Sequence, residues 1–519
     1  MNFKAISLCC LSVAAVSMSA KTVTEVRLLP SEESPVIQKE IYGQFAEHLG
    51  TCIYGGLWVS PESSIPNTQG YRNDVLNALK ELKVPVMRWP GGCFADEYHW
   101  MDGIGPRSER PRMVNTNWGG TVEDNSFGTH EFLNLCELVG VEPYISGNVG
   151  SGSVEEIQKW IEYMTATDGP MALLRKKNGR EKPWKVKYFG VGNETWGCGG
   201  NMTAEYYSDI YRRYQTYCKN YSGNTLYKIA SGGNASDYHW TDVCMKNAAK
   251  MMDGISFHYY YVDDWAAKGS ATDFSDDNYY MTMGHVYDIN AAIEGHSKVM
   301  DKYDPERRVG LMIDEWGTWW DVEPGTNPGH LFQQNTMRDA LVAAVSLNIF
   351  HNHAARVKMA NIAQFANVLQ AMLLTKDEQM VKTPTFYVFK MYIPHMDARL
   401  VPLKVDCDVL EVHGRKAPVV SATASQKDGR TTISLANILL DKAQEITIDL
   451  GSIIPVKNGK PVAVGVQGEI ISAKDIHDFN GFGEAEKVNI KPFKGADLKN
   501  KTVLKVKLPA ASVVTLSIG

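Results

Sequence analysis

The stretch from Lys187 to Gly200 reads K-Y-F-G-V-G-N-E-T-W-G-C-G-G. Its apolar front half predicts a short buried strand, and Gly190 and Gly192 let the backbone turn before one carboxylate, Glu194, is presented between Asn193 and Trp196. A strand end that delivers a single acid from a glycine turn is where a (β/α)8 barrel keeps its chemistry. Val309 to Trp320, V-G-L-M-I-D-E-W-G-T-W-W, repeats the form and presents Glu315. Two acids at the ends of two strands predict a pair.

Working outward, apolar strand, glycine and helix recur at roughly forty-residue spacing, as in a (β/α)8 barrel. Predicted strands are 41–47, 84–89, 141–146, 186–191, 228–231, 254–258, 309–313 and 358–364. Between them lie helical periods. Tyr207, Ile210, Tyr211, Tyr214 and Cys218 mark one face of a helix that Thr203 caps, and Met337, Ala340, Leu341, Ala344 and Val345 mark another. Alternating strands and helices imply right-handed crossovers and a parallel sheet that closes as a TIM barrel over residues 41–385. From 386 to 519 the texture becomes all-β. Ser421–Ser425 and Thr431–Ala436 flank an Asp428-Gly429 turn, and later segments alternate apolar with polar, predicting a C-terminal β-sandwich. Residues 21–40 carry one strand that can join it.

A 519-residue chain with a net charge of -6 has room for two domains, and its charge gives no reason to expect nucleic acid or an anionic membrane as partner. Neutral substrates fit better. Residues 1–20 resemble a signal peptide cut after Ser19 or Ala20, and the apolar run from Ala5 to Val16 is too short to span a bilayer. The expectation is an exported protein, periplasmic or extracellular if bacterial, without a membrane span. Lipid attachment at Cys9 or Cys10 is disfavoured by their place inside that run. Beyond it Cys52, Cys93, Cys136, Cys198, Cys218, Cys244 and Cys407 are scattered and have no CxxC spacing, which argues against a disulfide framework and a zinc site. One bridge stays open.

Loops at the C-terminal strand ends of a barrel converge, so Glu194 and Glu315, about three strand-helix units apart, can meet across a pocket. Carboxyl groups about 5 to 5.5 Å apart suit retaining glycoside hydrolysis, and about 6.5 to 9.5 Å suits inversion. Most carboxylates are instead caps or surface ion pairs. Flanking Gly and Trp make Glu194 a poor candidate for that. His351-Asn352-His353 reads as structural rather than metal-binding, and Gly190 to Thr195 lacks the third glycine of a dinucleotide loop. Trp58, Trp89, Trp118, Trp196, Trp316, Trp319 and Trp320 divide between core and sugar-stacking readings.

Four motifs in this order, G-Q-F-A-E-H-L-G (Gly43–Gly50), R-W-P-G-G-C-F (Arg88–Phe94), F-G-V-G-N-E-T-W-G-C-G-G and I-D-E-W-G, resemble the α-L-arabinofuranosidases of glycoside hydrolase family 51. P-G-T-N-P-G-H (Pro324–His330), K-M-A-N-I-A-Q (Lys358–Gln364) and T-P-T-F-Y-V-F (Thr383–Phe389) extend the likeness over essentially the whole chain beyond residue 20. The resemblance implies a retaining exo-hydrolase of clan A, acting on terminal arabinofuranosyl groups of arabinan, arabinoxylan or their oligosaccharides, with no metal or other cofactor and a leaning toward homo-oligomers. It assigns Glu194 as acid/base and Glu315 as nucleophile. It places Glu47 and Gln364 on sugar hydroxyls, Asn193 at the 2-hydroxyl and Tyr260 beside the nucleophile. Trp118, Trp319 and Cys93 are expected to line the pocket. A thiol is a weak donor and acceptor, so Cys93 packs apolarly or approaches Cys52 or Cys198. An endo-β-1,4-glucanase of the same family and a non-catalytic glycan-binding protein are the alternatives.

Overall fold

The computed structural model describes residues 23–519, so the signal-like segment at 1–20 lies outside the described residues. Eight parallel strands close into a barrel in sequence order: β1 (Gly43–Phe45), β2 (Val86–Trp89), β3 (Glu142–Gly147), β4 (Tyr188–Val191), β5 (Tyr227–Ala230), β6 (Gly254–Tyr261), β7 (Gly310–Thr318) and β8 (Val357–Ala363). β8 returns to β1 through the pairs Asn361↔Gly43 and Ala363↔Phe45. All eight predicted strands are present, with two shifts that matter. Lys39–Tyr42 forms a 3-10 turn and shortens β1. β7 does not stop at Ile313 but runs through Glu315 to Thr318, because β6 continues beside it and pairs His258 with Glu315 and Tyr260 with Gly317. The second acid therefore stands inside a strand.

The lower barrel is filled rather than hollow. Val86, Tyr144, Tyr188, Ile229, Met312 and Met359, from six strands, meet in one buried cluster, and Tyr188 donates to Glu40 Oε1 at 3.0 Å to cap that end. Such layered side chains make the barrel a packed core and leave only its C-terminal mouth for a site. Around it, the helix Ala204–Tyr217 starts as predicted, with Thr203 Oγ1 accepting from Tyr206 N. The helix Met337–Asn352 is buried on every side apart from Asn352. It lies between the barrel wall and the C-terminal strands, with Asn348 Nδ2 donating to Ser421 Oγ at 3.1 Å.

Those strands form two sheets packed face to face. One has six strands and contains the hairpin Val420–Lys427 with Arg430–Asn437. At its tip Asp428 and Gly429 adopt φ of 51° and 76°, the two positive values that a tight type I′ turn requires. The other has five and takes in Thr24–Leu28, which pairs antiparallel with Leu403–Asp406 and parallel with Gln444–Asp449. The N-terminal strand thus joins the C-terminal sheet. Val26 and Leu28 point inward, 2% and 3% exposed. Truncating Leu28 to Ala should cost roughly 2–5 kcal/mol, seen as a lower denaturant midpoint; an unchanged midpoint would mean that this strand adds nothing to the sheet.

Candidate active site

Beyond β4 the chain turns sharply. Gly192 takes φ 96°, and Glu194 itself lies in the left-handed region at φ 38°, a conformation uncommon outside glycine and often held in place at functional sites. The turn that follows holds it there: Gly197 N and Gly199 N donate to Glu194 O at 2.7 and 3.1 Å. A side chain at Gly199 would place its Cβ 1.9 Å from Asn193 O. Gly197 to Gly200 is thus the turn that aims Glu194, as well as the start of the connection to the next helix.

Glu315 enters from β7. Arg88 Nη1, from β2, donates to its Oε1 at 2.7 Å, and Tyr260 OH, from β6, donates to its Oε2 at 2.8 Å. His258 lies between the two acids, with Nδ1 2.7 Å from Glu194 Oε1 and 3.4 Å from Glu315 Oε2, and Nε2 3.1 Å from Asp314 Oδ1. Burial works against its charge, but Glu315, Asp314 and Glu194 outweigh that and push the imidazole up to about 10. It is therefore an imidazolium at neutral pH. Burial also pushes Glu315 up, opposed by His258 and Arg88. Burial would raise Asp314 too, yet Arg88, His258 and Tyr144 together hold it below the usual carboxylate range. A carboxylate oxygen of Glu194, one of Glu315 and a His258 nitrogen all lie within 4.8 Å of one another.

The remaining expected residues form the wall. Asn193 Oδ1 accepts from Arg88 Nη2 at 2.6 Å, which fixes its amide beside Glu194. Across the mouth, Glu47 Oε1 accepts from Phe94 N and Trp118 Nε1, each at 3.0 Å, and Glu47 Oε2 accepts from Gln364 Nε2 at 3.0 Å. Burial, reinforced by the charge of Glu315, pushes Glu47 up to about 7 against those donors and Arg88. Trp319 stands edge-to-face with Tyr260, ring centroids 5.0 Å apart. Of the other tryptophans, Trp58, Trp89, Trp316 and Trp320 are core, and Trp196 is half-buried. His351 is likewise spent in the core, 2.8 Å from Tyr42 OH.

Cys93 is joined to Cys198 in a disulfide, the bridge that the scattered cysteines left open. Its two sulfurs lie 3.8 and 3.5 Å from Glu194 Oε2, forming a polarizable cover over that carboxylate. Among the described residues, two groups have the spacing to hold a metal: Cys93, Glu194 and Cys198, and Glu194, His258 and Glu315. In the first both sulfurs are tied to each other. In the second both imidazole nitrogens already face carboxylates and Arg88 neutralises Glu315, so the donor atoms are committed to one another rather than turned toward a cation.

Comparison with known proteins identifies the family. Family models described as the α-L-arabinofuranosidase 1 domain and the α-L-arabinofuranosidase C-terminal domain match residues 78–280 and 314–512. An intracellular exo-α-L-arabinofuranosidase of Bacteroides ovatus is 59% identical over 97% of each chain. The chain belongs to the α-L-arabinofuranosidases of glycoside hydrolase family 51. Among solved structures, this family 51 enzyme resembles the GH51 arabinofuranosidase of Xanthomonas axonopodis pv. citri at TM-score 0.92 and 47% identity, covering 96% of this chain and 100% of that one. It also resembles the Thermotoga maritima enzyme in its arabinose complex at 0.81 and 28%, covering 96% and 99%. One expectation falls here: the intracellular B. ovatus relative overturns the inference of export from the first twenty residues. A short apolar run with small residues after it is a weak pattern, and hydrophobicity there does not report the destination of the chain.

For the family 51 enzyme, the main residue that sequence reasoning passed over is His258. It lies two positions before Tyr260, and a strand alternation that sends Tyr260 inward sends His258 inward as well. Arg88 and Asp314 lie inside R-W-P-G-G-C-F and I-D-E-W-G, and their roles arise only where β2, β6 and β7 come together.

Folding favours the protonated form of Glu47, since its carboxyl rises from 4.5 to about 7. Its contribution to stability is full below 4.5 and is lost as pH rises through 7, a change of about 3 kcal/mol by linkage. Glu47→Gln should remove that slope, so that the variant gains on the wild type in unfolding free energy between pH 5 and pH 8. Parallel stability profiles in urea would contradict the assignment.

Proposed function

We propose that this enzyme is exo-acting and retaining, releasing terminal α-L-arabinofuranosyl groups from plant arabinan, arabinoxylan or derived oligosaccharides. The observation that carries the reading is the close approach of Glu194 and Glu315, with carboxylate oxygens inside 4.8 Å. So close an approach favours direct attack by one acid over the wider gap that seats a water for inversion. The exo character is supported by the B. ovatus relative and by the single wall of polar groups around Glu47, which suits one sugar ring.

In the first step Glu315, held ionised by Arg88 and His258, attacks the anomeric carbon as the bond to the leaving oxygen breaks and Glu194 delivers a proton to that oxygen. In the second, Glu194 takes a proton from water, the water oxygen bonds to the anomeric carbon and the ester to Glu315 breaks. Burial and the charge of Glu315 keep the Tyr260 hydroxyl protonated, so it donates to the nucleophile throughout. Glu47 and Gln364 hold sugar hydroxyls, Asn193 serves the 2-hydroxyl, and Trp118, Trp319 and the Cys93 sulfur line the pocket. A division into residues 21–40, a catalytic barrel at 41–385 and a sandwich at 386–519 belongs to this reading and is supported by the sheet pairings.

Glu315→Ala should abolish turnover on every arabinofuranoside. Glu194→Ala should lose on the order of 10² to 10⁴ in rate on natural oligosaccharides, the usual worth of a positioned acid, and far less on p-nitrophenyl arabinofuranoside, whose leaving group needs no proton. Equal losses on both substrates would refute the acid role. Proton NMR of the first product formed should show the α-anomer; the β-anomer would refute retention.

A further inference from the structure

Trp265 is the one exposed tryptophan among the described residues, with 59% of its surface open. A lone exposed apolar side chain is ordinary, so it is the position of this one that carries meaning. It also sits in a continuous line of rings leading out of the site. Tyr260 donates to Glu315, Trp319 meets Tyr260 edge-to-face at 5.0 Å and 79°, and Trp265 meets Trp319 at 5.4 Å and 75°. Trp265 is the outermost member, two ring steps from the nucleophile's tyrosine.

The segment that carries it is built to stay put. Asp264 Oδ1 accepts from Ala266 N at 2.8 Å, and Asp264 O accepts from Ala267 N at 3.1 Å, closing a turn around Trp265. Gly269 N donates to Asp321 Oδ2 at 3.1 Å and Gly269 O accepts from Asp321 N at 2.9 Å, which ties the segment after β6 to the one after β7. Farther along, buried Arg338 donates to the carbonyls of Ser270 and Ala271, each at 3.1 Å, while its guanidinium lies 3.6 Å from the rings of both Phe274 and Trp320. An exposed indole on an anchored turn is preorganised for a ligand, since little ordering remains to be done on binding.

We infer that Trp265 is the platform for the sugar unit on the leaving-group side of the scissile bond, a specificity determinant for oligosaccharides and polymers. This rests on the exo reading above, in which the terminal ring fills the pocket between Glu47 and Glu315 and the next unit must emerge past the rim. β6 and its loop lie on the arc between β4, which delivers Glu194, and β7, which delivers Glu315, so a leaving group protonated by Glu194 exits beside this loop. The C–H face of a sugar is weakly positive and the face of indole is negative, so the two attract without demanding one linkage.

The test compares two substrates that share the terminal ring: methyl α-L-arabinofuranoside, whose methyl group stops short of the rim, and α-1,5-linked arabinotriose. Trp265→Ala should lower kcat/KM on the triose about tenfold, the order of one lost aromatic contact, chiefly through KM, and Trp265→Phe should recover most of it. On the methyl glycoside both variants should stay within about twofold of wild type, which also reports that they are folded. Equal losses on both substrates, or no loss on the triose, would overturn the platform. A wild-type enzyme that cleaves neither arabinoside would instead overturn the exo reading itself.

Discussion

Everything at the barrel mouth depends on how three carboxyl groups share two cations. Glu194, Asp314 and Glu315 converge on His258, and Arg88 closes the cluster from the opposite wall. Taking that many charges out of water is costly, and an unmatched one costs more than the pair. The cluster therefore exists only if β2, β4, β6 and β7 arrive together, since each supplies a member that the others cannot replace. The register of β6 against β7, which sets His258 opposite Glu315, has to be right for the imidazolium to fall between the acids.

From that constraint the division of the barrel follows. Its lower half is a packed plug of tyrosine, methionine and aliphatic side chains, and Tyr144 links plug to site by donating to Asp314 Oδ2 at 2.7 Å. The polar half has a hydrogen-bonded side and an aromatic side. Glu47 and Gln364, just beyond the ends of β1 and β8 where the barrel seals, form a hydrogen-bonded set with Trp118 from the loop after β2. The loops after β6 and β7 supply aromatic surface through Trp265 and Trp319.

Much of this was legible in the amino-acid order because barrel physics repeats itself locally. A glycine turn after an apolar strand located Glu194, and the Thr203 cap and the Asp428-Gly429 turn were readable from short-range chemistry alone. What was not legible depended on partners distant in sequence. β7 continues through Glu315 because β6 runs beside it, which no window around residue 313 contains. The Cys93–Cys198 bridge joins two loops, and seven scattered cysteines do not say which pair will meet. His258 was visible as a letter but not as a charge, since its protonation is imposed by acids from β4 and β7. The export inference went astray for another reason: it rested on twenty residues whose chemistry several destinations share.

The parallel pairing of Thr24–Leu28 with Gln444–Asp449 has a consequence for how the chain is made. Synthesis proceeds from the N-terminus, so this strand leaves the ribosome long before any of its partners exist. Loop closure over such a span is slow compared with local pairing, and an unpaired edge with alternate apolar residues is exposed for association meanwhile. The barrel can close without it, since none of its eight strands borrows from residues before Gly43. The first of the described strands to be synthesised is then among the last to dock, and its arrival ties an N-terminal segment into a sheet of C-terminal strands.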